Sequence, residues 1–190
     1  MGSGGNPDPC RHAELVSASI FIANLDSDDP LGGPGSIVEV DETLIGGSIS
    51  GKGSGYKGNK TCAVGMLERD GELMTRVPGR RTKEAMQGLI VSHVFPGSTL
   101  HTDEFGGYKD IAQSGFQHHQ SCARRICQAL RRWRQCIEGF WAQLKRRING
   151  TQVHVSGKHF PEYPGEFEYR WNMRQVPHPM LDRLLNSFGR

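Results

Sequence analysis

The 190-residue chain has no long hydrophobic run, and only 36% of it is hydrophobic. No stretch approaches the roughly 20 consecutive apolar residues that a membrane-spanning helix needs. No charged-apolar-small leader of the secretory kind is visible either. Cysteine is scarce and badly spaced for structural work. Cys10, Cys62, Cys122, Cys127 and Cys136 include no CxxC pair, and their odd number argues against a disulfide framework. His118, His119, Cys122 and Cys127 lie near one another in sequence, but their spacing matches no zinc-finger pattern. These absences predict a reducing, cytoplasmic setting without a membrane partner.

Glycine, by contrast, is abundant at 25 residues, with much of it in the first 60. Residues 1–35 are dominated by Gly, Pro, Ser and Asp, as in Asp26-Ser27-Asp28-Asp29-Pro30, and are expected to be a disordered or non-native tail. One ordinary domain is expected over residues 36–175, followed by a tail or short helix at 176–190. Within that domain Ile37 to Leu44 predicts a strand, and Ser48 to Lys60 a loop. Thr61 to Glu68 and Leu73 to Val77 predict two strands joined through the Asp70-Gly71 hairpin signal. Thr82 then caps a helix with Ala85, Met86, Leu89, Ile90 and Val94 at helical spacing, stopped by Pro96-Gly97. A strand before Asp103 and a short helix from Tyr108 to Gln113, closed by Gly115, come next. Later helices begin near Ile137 and Glu166.

Three acids stand at telling places in this order. Asp41 ends the alternation Ile37-Val38-Glu39-Val40, Asp103 ends the next strand-like run, and Glu138 opens an amphipathic, basic helix. Strand-strand-strand-helix-strand-helix, with acids on the first and fourth strands, predicts an α/β fold: a ribonuclease H-like mixed sheet flanked by helices. In that arrangement the two acidic strands are neighbours, so their carboxylates converge. Mg2+ or Mn2+ favours oxygen ligands, and two such ions about 3.5–4 Å apart can activate an attacking oxygen and stabilise a leaving one. Asp41, Asp103 and Glu138 are therefore the candidate catalytic and metal-binding residues. Glu42 and Glu104, one step beyond each Asp, are expected on the opposite strand faces and outside the ligand set.

Positive charge gathers around Glu138. Arg124, Arg125, Arg131, Arg132 and Arg134 precede it, and Lys145, Arg146 and Arg147 follow it. Such a block reads as a surface for a polyanion. Phe140, Trp141 and Leu144 share one helical face and are read as core, which leaves Lys145, Arg146 and Arg147 for DNA phosphates.

Several motifs agree in order with one family. Val38-Glu39-Val40-Asp41-Glu42-Thr43 with Ile45-Gly46-Gly47, His101-Thr102-Asp103-Glu104 with Tyr108, and Ile137-Glu138-Gly139-Phe140-Trp141 resemble the DDE transposases of bacterial insertion sequences, in particular the ISXO-like group. Val155-Ser156-Gly157-Lys158-His159-Phe160 and Glu166-Phe167-Glu168-Tyr169-Arg170-Trp171-Asn172 extend the resemblance. It implies cleavage of transposon ends and their transfer to target DNA, two Mg2+ or Mn2+ ions on Asp41, Asp103 and Glu138, and Arg170 and Asn172 as further DNA contacts. It also implies action as a homo-oligomer, on the nucleoid. Two departures accompany it. Residues 1–35 do not match the end-reading region usual in the group. Residues 121–136 lack the Asn-His, Tyr-Val and Gly-rich features expected before Glu138, yet permitted codons read one base later restore them. That stretch is read as out of frame, and the arginines from 124 to 134 as its by-product. The expected function is a transposase catalytic domain in a degenerate or truncated copy, against an inactive nucleic-acid-binding remnant or a ribonuclease H-like nuclease without strand transfer.

Overall fold

A computed structural model describes residues 29–45, 60–120, 136–151 and 162–175. Strands β1 (Leu31–Gly32), β2 (Ile37–Ile45), β3 (Thr61–Glu68) and β4 (Leu73–Arg76) lead into helix α1 (Lys83–His93). Strands β5 (Val94–Phe95), β6 (Thr99–Thr102) and β7 (Gln117–Gln120) follow, then helices α2 (Ile137–Thr151) and α3 (Glu162–Asn172). Five strands form one mixed sheet in the order β4-β3-β2-β6-β7. The β2–β3 and β3–β4 pairs are antiparallel, whereas β2–β6 and β6–β7 are parallel. This is the expected ribonuclease H-like mixed sheet flanked by helices.

Alternation along β2 sorts two cores onto opposite faces. Val38 and Val40 join Val64, Met66, Met74 and Leu100 under Met86 and Ile90 of α1. On the other face Ile45, Ala63, Leu67 and Leu73 pack against Ile137, Phe140, Trp141 and Leu144 of α2 and Trp171 of α3. The α2 residues follow helical spacing, so the expected core face of that helix is the observed one. Each Val, Leu, Ile, Met or Phe among them, fully buried, contributes about 1.5–3 kcal/mol. Among the described residues no helix is long and apolar enough to cross a membrane.

Four sequence expectations need correction. The ordered domain takes in Leu31, ahead of Ser36: Leu31 is 3% exposed in the α1-side core, and β1 pairs in parallel with β5. Helix α1, capped as expected by Thr82 Oγ1 accepting from Ala85 N–H, ends at His93, short of Pro96-Gly97. Val94 and Phe95 are β-formers drawn into pairing with β1, which overrides their helical spacing. The short helix around Tyr108 is two 3-10 turns, Gly106–Tyr108 and Ile111–Ser114, closed as expected by Gly115 at φ 90°. Helix α3 begins at Glu162, four residues before Glu166. The hairpin turn between β3 and β4 is as expected, with Asp70 at φ 61°.

Helix α3 also closes the edge strand β4. Asn172 Oδ1 accepts from Leu73 N–H at 2.8 Å, and its Nδ2 donates to the Leu73 carbonyl at 2.9 Å. Glu168 Oε2 accepts from both the N–H (2.6 Å) and the hydroxyl (2.5 Å) of Thr75. The proposed out-of-frame stretch, apart from Cys136, lies outside the described residues, as do the Gly- and Ser-rich loop and the segment from Val155 to Phe160.

Candidate functional site

Parallel pairing sets the site. Ile37 to Val40 align with Thr99 to Thr102, so Asp41, still within β2, and Asp103, just past the end of β6, come side by side. Carboxylate oxygens of Asp41, Glu42 and Asp103 lie within 4.8 Å of one another. Glu42 does leave β2 on the face opposite Asp41, toward Tyr108. Its carboxylate nevertheless reaches the cluster, beyond the point where the neighbouring β6 ends at Thr102, which corrects the expectation that it stands apart. Tyr108 O–H donates to Glu42 Oε2 at 2.6 Å, and Arg81 Nη2 pairs with Oε1. Asp103 Oδ1 accepts from Phe105 N–H at 2.9 Å, which fixes the turn beyond β6.

Glu138 is outside that trio but within electrostatic reach of it. It sits in the first turn of α2, where its charge acts on Asp41 and on Glu39. Two features seat that helix end. Glu39 Oε2 accepts from Ile137 N–H at 3.3 Å, and Gly65, directly across the ladder from Asp41, leaves room for the helix. A Cβ at Gly65 would stand 2.6 Å from Ile137 Cδ1 and 2.7 Å from Trp141 Cζ2. Glycine here permits close approach of α2.

Crowding of like charges in a half-buried place has a measurable consequence. Burial, then repulsion from Asp103 and Glu42, pushes Asp41 up to about 7. Burial also raises Asp103, against the hydrogen bond from Phe105. Tyr108 is raised, first by burial and then by the Glu42 charge, so it stays a donor. Three carboxylates held together at this electrostatic cost fit a divalent cation, which takes oxygen ligands and offsets their repulsion.

The expected DNA contacts divide. Lys145, Arg146 and Arg147 are exposed along α2. Arg170 is exposed on α3 and pairs with Glu166 one turn earlier, Nη2 to Oε1 at 2.7 Å. Asn172 spends its amide on the Leu73 backbone, so its place in the sequence motif is explained by the fold. Sequence reasoning missed Glu42, Arg81 and Gly65. A glycine inside a strand pattern was a signal for close backbone approach; Arg81 gave none.

No curated protein matches the chain. Among solved structures it is similar to a crystallised pre-cleavage Mos1 transpososome, at 10% identity and a TM-score of 0.41 over 98% of this chain and 67% of that one, a likeness too weak to carry an assignment. The sequence profile of the ISXO2-like transposase domain matches residues 30–172, a span that holds β1 through α3 and every acid of the site. The chain belongs to the ISXO2-like transposase domain family.

Proposed function

We propose that this domain cuts DNA strands and joins them by divalent-metal-dependent phosphoryl transfer, with transposon ends and target duplex as substrates. The observation that carries this reading is the meeting of Asp41, Glu42 and Asp103 where β6 ends beside the central strand β2, with the Glu138 charge brought alongside by α2. Asp41 and Asp103 would hold the cations, and Glu138 would complete the set from the other side. Two Mg2+ or Mn2+ ions in such a site supply an activated attacking oxygen and charge stabilisation at the leaving one. The protein's own part is positional. Tyr108 and Arg81 hold Glu42, Phe105 N–H holds Asp103, and Gly65 lets the Glu138 helix approach Asp41. Lys145, Arg146, Arg147 and Arg170 would neutralise phosphates of the bound duplex. Paired transposon ends call for a homo-oligomer, working on the nucleoid.

Nicking of supercoiled plasmid in Mg2+ or Mn2+ tests this. Activity is expected in the native chain and lost by a factor of about 10² or more in Asp41→Ala and Asp103→Ala, whose circular dichroism stays native. A folded native protein without nicking, whose substitutions leave DNA affinity unchanged, would instead be a binding remnant. Joined products from pre-cleaved ends separate strand transfer from simple nuclease action.

A further inference from the structure

Arg81 is the one cation, among the described residues, in an ion pair with a carboxylate of the acidic cluster. The other pairs lie elsewhere: Arg69 with Glu39, Arg76 with Glu168, Lys83 with Asp110, and Arg170 with Glu166. Its guanidinium is held twice over. One nitrogen meets Glu42 Oε1, and Cζ lies over the Phe105 ring, 3.9 Å from its centroid. Phe105 is itself fixed, through its N–H on Asp103 and an edge-to-face contact with Tyr108. So the arginine is positioned by the same residues that shape the acidic edge.

It is not sealed in. The Arg81 side chain is 40% exposed, whereas that of Glu42 is 5% exposed. A guanidinium carries five N–H donors in a planar fork, and Glu42 is its one carboxylate partner among the described residues. The remaining donors lie at the rim of a cluster whose net charge would repel a phosphodiester. Stacking on an aromatic ring suits arginine and not lysine, and the fork matches two phosphate oxygens.

We propose that Arg81 binds a backbone phosphate of the DNA strand at the carboxylate cluster, with Glu42 and Phe105 setting the orientation of its fork. The proposal rests on the DNA-processing reading above and assigns the contact nearest the chemistry, in place of relying on the α2 cations alone.

The experiment measures binding of a fluorescent duplex of about 20 base pairs in Ca2+, over a range of salt, for the native chain, Arg81→Ala, Arg81→Lys and the double variant Glu42→Gln with Arg81→Ala. Arg81→Ala is expected to bind roughly tenfold more weakly, with the salt slope reduced by about 1. Arg81→Lys should keep the slope while its plasmid nicking falls, because charge remains and the fork is lost. The double variant should stay weak. Recovery of native affinity in the double variant would overturn the proposal, since Arg81 would then only neutralise Glu42. An unchanged slope in Arg81→Ala overturns it too. If Arg81→Ala does not fold, the decision passes to Arg81→Lys, whose unaltered nicking beside unaltered binding would overturn it. Mn2+ titrated calorimetrically should bind Arg81→Ala no less tightly than the native chain. A native protein that never nicks DNA, yet loses the salt slope in Arg81→Ala, would refute the strand-cleavage reading and leave the phosphate contact standing.

Discussion

On the α1 face of the sheet the acidic edge is held by directed polar contacts, whereas on the α2 face it is held by packing. Glu42, Tyr108, Arg81, Phe105 and Asp103 form a linked set of hydrogen bonds, an ion pair and ring contacts. Across the sheet, Glu138 depends on where α2 comes to rest, and that is decided by the packing of Ile137 and Trp141 against Gly65, with a single long hydrogen bond from Ile137 N–H to Glu39 beside it. Directed contacts fix a carboxylate locally. Packing fixes it only as well as a whole helix is docked. The difference teaches that the Asp41–Glu42–Asp103 edge and the Glu138 position can fail separately.

The sharpest way to break that comparison is Trp141→Ala. Trp141 is 3% exposed, and its removal should cost about 3–5 kcal/mol in a denaturant titration. Mn2+ affinity of the Asp41–Glu42–Asp103 edge should fall far less than nicking activity does. Affinity and activity falling together would mean that the two faces are one unit.

A slightly smaller effect should follow pH. Asp41 is raised from 3.8 to about 7, so over that interval the folded chain holds a proton that the unfolded chain has released. The contribution of the protonated acid is complete below about pH 4 and is lost as pH rises through 7. That loss amounts to up to about 4 kcal/mol at about 1.4 kcal/mol per unit. Melting of metal-free protein should therefore fall from pH 4.5 to pH 7.5, and added Mn2+ should raise it more at the higher pH. A flat profile, or one unchanged by Asp41→Asn, would refute the crowding.

The smallest expected change belongs to Tyr108→Phe. Removing the hydroxyl leaves Glu42 short of a donor in a buried place, at about 1.5–3 kcal/mol. Mutant and native chains compared after Glu42→Gln sharpen the point, because the penalty should shrink once the acceptor charge is gone.

How far these contacts could be read beforehand depends on their range. The β2 strand, the Asp70-Gly71 hairpin, the Thr82 cap and the buried face of α2 rest on period and turn chemistry within a few residues, and all were legible. Adjacency of Asp41 and Asp103 was legible too, because the order of elements implied that their two strands are neighbours. Pairing of Leu31–Gly32 with Val94–Phe95 joins two-residue strands far apart in sequence, which no local pattern marks. Glu42 misled for a related reason. Alternation assigns it correctly to the other face, but says nothing of how far a glutamate reaches where the neighbouring strand has ended. Arg81 reaches Glu42 across 39 positions from a stretch without periodicity. Arg170 and Asn172 came from a shared motif, and a motif does not say whether a residue touches DNA or its own backbone.

That last motif has a further consequence. With Glu168 and Asn172 standing in for a neighbouring strand, β4 presents no free ladder at Leu73 and Thr75. Edge-to-edge recruitment of another chain is thereby blocked on that flank. Among the described residues the opposite margin of the sheet is β7, Gln117–Gln120, so the two flanks differ in what faces their backbone: α3 side chains occupy only the β4 side.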